Sequence, residues 1–151
     1  QIRDNMLRVS GELDLQTGGS GQAGDSLRRS IFLKVIRNQP NSLLLTFDGT
    51  DPILSTPERN TTTTPTQALL MMNNPWILAR AKKLADGTRG QHGDHLHSDI
   101  QHVHRLLYSR EATELEIKMA CEFLALFDSR ETGWRDYCHV LLSANEFLYI
   151  Q

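Results

Sequence analysis

The stretch Arg59–Leu84, RNTTTTPTQALLMMNNPWILARAKKL, decides how this chain is read. Thr64 is a capping residue, Pro65 suits the first helical position, and Gln67 stands where the second half of a capping box reaches back. Asn74, Pro75 and Trp76 repeat that start ten residues later. One helix is therefore expected to stop near Asn73 and a second to begin at Pro75. Two helix starts in the middle of the sequence set an all-α expectation, and the flanks are read outward from them.

Upstream, residues 51–63 hold two prolines and four threonines with little apolar pattern, which predicts an irregular loop. Before it, NSLLLTFD is a short apolar segment following Pro40. Residues 28–37, RRSIFLKVIR, are ambiguous: Ile31, Phe32, Val35 and Ile36 are β-formers that also fall on a helical stripe. The reading leans to helix. TGGSGQAGD carries four glycines in seven residues, without a preceding strand or a G-x-x-x-x-G-K-[ST] pattern. A flexible connector is expected there rather than a phosphate loop. Residues 2–10 read as a short helix with Ile2, Met6 and Val9 on one side and Gly11 just past its end.

Downstream, DGTRGQHGD is a turn-rich linker, and residues 95–108 place Ile100, Val103 and Leu107 on one helical face. Thr113 and Glu116 form a capping box opening a helix to about Asp128 that buries Ile117, Cys121 and Leu124. Trp134, Tyr137, Cys138, Leu141 and Leu142 follow helical spacing in a last amphipathic helix, and NEFLYIQ is expected as a packed tail. The predicted fold is thus a compact all-α bundle of about five to seven helices with one long irregular loop. Residues 1–151 are expected to form a single helical domain, with 1–27 as leading helix and connector and 28–151 as main body. Because Gln1 opens directly on a helical pattern, the chain is expected to be a fragment of a larger multidomain protein.

Charge and composition exclude some partners. A net charge of −2 gives no bulk attraction to nucleic acid, and no apolar run approaches the ~18 residues a membrane span requires. The apolar fraction of 39% is ordinary for a globular chain. Cys121 and Cys138 are the whole thiol inventory, and each lies in an apolar helical pattern, as buried free cysteines do. A disulfide between them is left open. With no C-x-x-C-H, the fragment holds no c-type haem of its own.

Three clusters invite a chemical reading. His92, His95, His97, His102 and His104 fall within thirteen residues. Histidines seven apart on a helix are ~10 Å apart, too far to share one zinc. The best metal set is His95, Asp99 and His102, set against a solvated, mildly pH-sensitive face. Asp48, Asp51 and Glu58 lie near Arg28, Arg29 and Arg59 in sequence. They read either as acid and base beside an anion site or as ion pairs that pin the irregular loop. Trp76 and Trp134 read as core aromatics or as sugar-stacking platforms.

The series IRDNMLRVSGELD, RRSIF, TFDGTD, R-x-x-T-x-T-P-x-Q-A-L-x-x-x-N, REATELE and SANEFLYI resembles one family. It is similar to the domain of unknown function that follows cytochrome-c-like regions in large secreted planctomycete proteins. The matching positions include Arg28, Arg29, Asp48, Asp51, Arg59, Thr64, Gln67 and Asn73, and further on Arg110, Glu116, Asn145, Glu146 and Phe147. Where many relatives have a cysteine after the aspartates, this chain has Ser55 and Thr56, and a proline-rich insert is reduced to the glycine stretch. The resemblance implies an extracytoplasmic multidomain protein with haem c in other domains of the same chain, which would be its partners. It implies no reaction. A non-catalytic structural or docking module is the first functional expectation, and a polysaccharide-active or carbohydrate-binding domain using the Arg/Asp cluster is the alternative.

Overall fold

A computed structural model describes residues 1–36, 41–47, 65–90 and 95–149. Among these the fold is all-α: eight α-helices and one 3-10 turn, with two isolated β-bridges and no strand. Asp48, Asp51, Arg59 and Thr64, together with the predicted irregular loop, lie outside the described residues. The chain divides into two compact units, one of residues 1–8 and 12–74 and one of residues 9–11 and 75–151.

The first unit begins with α1 (Ile2–Val9), which buries Met6 and Leu7 completely. The turn after it closes through Glu12 N–H to Leu7 O at 2.9 Å. Gly11 sits there at φ +72, a left-handed conformation where a Cβ would be strained. The lean to helix over residues 28–37 is corrected for the described residues 28–36: only Ser30–Phe32 makes a 3-10 turn, and Leu33 is extended at φ −74 and ψ 141. The stripe has no face to bury, since Ile31 and Val35 stay 69% and 73% exposed. Lys34 N–H instead donates to Gln22 O at 2.8 Å, part of a parallel bridge that holds the glycine-rich connector. The short apolar segment becomes α2 (Ser42–Thr46), capped by Asn41 through Leu44 N–H. It packs against α3 (Pro65–Asn73), which buries Met71 and Gln67.

Asn74 separates α3 from α4 (Pro75–Thr88) where the sequence places the break, and α4 belongs to the second unit. The other elements of that unit are α5 (Leu96–Tyr108), α6 (Glu114–Leu124), α7 (Arg130–Ser143) and α8 (Asn145–Leu148). Packing is most extensive between α4 and α7. Ile77, Ala81, Leu84 and Ala85 supply the buried stripe of α4, and the two alanines let a neighbouring helix come close. Trp134, Cys138 and Leu142 of α7 and Ile100 and Val103 of α5 are also fully buried, each large side chain contributing about 1.5–3 kcal/mol. Gly133 packs tightly: a Cβ there would lie 3.3 Å from three side-chain atoms of Phe127, which would have to shift by a few tenths of an ångström. The helix expected to reach Asp128 stops at Leu124, and its deepest residue is Ala120, with Ile117, Cys121 and Leu124 only half-buried.

Candidate functional site

Three of the described motif side chains of the first unit, Arg28, Gln67 and Asn73, turn toward backbone carbonyls. Arg28, buried, donates from Nη2 to the carbonyls of Gln16 at 2.8 Å and Gly18 at 2.6 Å. Its guanidinium lies 4.6 Å over the Phe32 ring. Arg28 therefore spools residues 16–18 around one buried cation, a use of Arg that trades hydration for charge-assisted bonds. Arg29, its neighbour in the motif, is exposed.

Arg3 completes this arrangement from α1. It is 2% exposed, and its guanidinium donates to the carbonyls of Arg28, at 2.9 Å, and Ser26. Asp4 Oδ1 accepts from Ser30 N–H at 2.8 Å and from the Ser30 hydroxyl at 2.6 Å. The Arg3–Asp4 pair fastens the helix to the start of the RRSIF segment. Nothing in the local spacing announces it, because the carbonyls of Ser26 and Arg28 carry no residue-type signature.

Gln67 is 5% exposed and donates from Nε2 to Thr46 O at 2.9 Å, tying α3 to the last residue of α2. Asn73 is exposed and its Nδ2 bonds Leu69 O one turn back, at 3.1 Å.

In the histidine helix, Asp99 is fully buried and accepts from Gly90 N–H at 2.8 Å. His95 is exposed at the start of α5 and His102 is half-buried. Among the described residues no three His, Cys, Asp or Glu side chains converge as a metal site. The polar centre of α5 is instead His104, whose Nε2 lies 3.0 Å from the Tyr137 hydroxyl on α7. Burial lowers the pKa of His104 below its ordinary 6.5. Tyr108 packs edge-on to it and donates its hydroxyl to Leu141 O at 2.9 Å. Burial raises the pKa of both tyrosines.

Arg110 bridges two carboxylates of the second unit. It forks onto Glu116 at 2.7 and 2.9 Å and onto Glu146 at 2.7 and 2.8 Å. The Arg110 hydrogen bonds hold Glu116 down at about 2, and Glu146 is lowered by the same partner. Thr113 and Glu116 form the expected capping box, so one carboxylate caps α6 and pairs with Arg110 together. Trp134 is core rather than a platform, and Trp76 is half-buried beneath the Arg80 guanidinium at 4.2 Å. Cys138 is free and buried beside Thr88, its thiol pushed up to about 12, and Cys121 is free and half-buried.

Among the described residues the fold is all-helical, and the motif side chains Arg28 and Gln67 fasten backbone segments. Residues 1–124 match the family described as PSD1, protein of unknown function (DUF1553), and the chain belongs to that family. The match ends where α6 ends, so α7 and α8 lie beyond it. No curated protein and no solved structure matches the chain.

Proposed function

We propose that this domain is a non-catalytic structural or docking module of a secreted, cytochrome-c-linked multidomain protein of the planctomycete type. Haem c would reside in another domain of the same polypeptide. The supporting observation is how the described motif is spent: Arg28 holds the carbonyls of Gln16 and Gly18, and Gln67 holds Thr46 O. Side chains turned onto their own backbone are poorly placed to bind and turn over a substrate.

Calorimetric titration of the 151-residue chain with the haem-bearing segment tests this, alongside a panel of neutral and sulfated oligosaccharides. Micromolar binding to the haem segment with no sugar binding supports the module. Saturable sugar binding with release of shorter products would replace it with the polysaccharide-active reading.

A further inference from the structure

The contact between α5 and α7 turns on one buried ring. His104 is 2% exposed, and its Nε2 meets the Tyr137 hydroxyl at 3.0 Å. Its Nδ1 is sealed from solvent and has no hydrogen-bond partner among the described residues. Tyr108 closes one side of the ring edge-on, with centroids 5.3 Å apart. Tyr137 in turn meets Trp134 edge-on at 5.7 Å, so the pair sits inside the aromatic core of the second unit.

In the neutral ring the bond to Tyr137 is satisfied in either tautomer, since the hydroxyl can donate to a bare Nε2 or accept from a protonated one. A second ring proton changes that. Both nitrogens are then donors, Tyr137 serves Nε2 alone, and a charged Nδ1–H is left in the core without an acceptor. The surrounding charges do not supply one. Those that act on the ring are Glu116 of α6, Glu146 of α8 and Arg110 between α5 and α6, and none comes from α4 among the described residues. Each carboxylate already receives two bonds from Arg110, at 2.7 and 2.9 Å on Glu116 and at 2.7 and 2.8 Å on Glu146. Burial outweighs the pull of the two glutamates and keeps the ring's pKa below 6.5. Water reaches Nδ1 as an acceptor only where α5 comes away from α7.

We propose that His104 and Tyr137 form an acid-sensitive latch: uptake of a second proton by the His104 ring opens the contact between α5 and α7, while the Arg110 forks keep α6 and α8 joined. The latch is fully shut above pH 6.5 and loosens as pH falls below it, because the open form binds the proton more readily than the closed one. With one proton involved, the ratio of open to closed molecules rises by up to about tenfold for each pH unit. The device does not depend on the docking reading.

NMR of the histidine ring signals of the 151-residue chain, paired with near-UV circular dichroism, tests the latch from neutral pH down to 4.5, where Glu116 is still ionised. His104 is expected to protonate below pH 6.5, and the near-UV signal of the packed tyrosines and Trp134 to fall in the same step while the far-UV helix signal stays. His104→Phe keeps an aromatic ring at the site but cannot take the proton, so its near-UV signal is expected to persist over the whole range. An equal acid loss in that variant would assign the step to other groups and overturn the proposal. So would a wild-type His104 that protonates with the near-UV signal unchanged, or a near-UV signal that survives to pH 4.5 in the wild-type chain. Should His104→Phe fail to fold by far-UV dichroism, the two wild-type signals decide alone: coincident steps support the latch, and separate steps overturn it.

Discussion

Gln67 shows how a single side chain gains a second job. Its position three residues after Thr64 marks it as half of a capping box, yet its amide is buried and donates to Thr46 O. Gln67→Ala leaves that carbonyl without its donor and is expected to cost about 1–2 kcal/mol in urea unfolding, more than loss of an exposed glutamine. No change would mean that α2 and α3 hold together without it. Glu116 gives the pH prediction. Its folded pKa is about 2, below the ordinary 4.5, because Arg110 bonds the ionised form. The stability it confers is complete above pH 4.5 and is lost as pH falls from there toward 2. Arg110→Ala should flatten that acid limb, and a limb of equal depth in the variant would assign it to other carboxylates. At this scale the sequence was only half legible. Arg28 could be flagged as a motif residue, but its partners are the carbonyls of Gln16 and Gly18, and carbonyls carry no residue-type signature. Arg3 and Asp4 were missed for the same reason, and His104 with Tyr137 because they meet across thirty-three residues.

Elements were most legible where their ends carry local chemistry. Pro75 starts α4 and the Thr113–Glu116 box starts α6, since capping needs only residues within one turn. Thr113 supplies an acceptor for Glu116 N–H at 3.3 Å and donates its own hydroxyl to Glu116 Oε2 at 2.9 Å. Thr113→Ala is therefore expected to destabilise the fold by about 1 kcal/mol, with Thr113→Ser recovering most of it. Chemical denaturation of the pair decides this, and equal loss in both variants would locate the effect in the methyl group. Residues 28–37 were misread because period alone cannot separate a short buried helix from an extended segment. What decided the outcome was a backbone bond from Lys34 to Gln22, twelve residues upstream and invisible in side-chain pattern.

For the molecule as a whole, the all-α class followed from the helix starts, whereas the division into two units did not. The break at Asn74 reads in sequence as a local interruption, and only contacts between distant helices show that α4 belongs with α7. Both tryptophans, Trp76 and Trp134, lie in the second unit. Tryptophan emission thus follows that unit, while far-UV circular dichroism sums over both. Gln67→Ala is expected to move the dichroism transition and leave the emission midpoint within error. Equal displacement of both signals would mean that the two units unfold as one cooperative body.

The two cysteines carry a consequence for anyone handling the protein. Cys138 is sealed in the core with its thiol pushed up to about 12, so at neutral pH it presents almost no thiolate. Cys121, on α6, is half-buried and unpaired. A maleimide dye or spin label added to the native chain accordingly has one address. This 151-residue chain carries a single attachment point for one label without cysteine engineering.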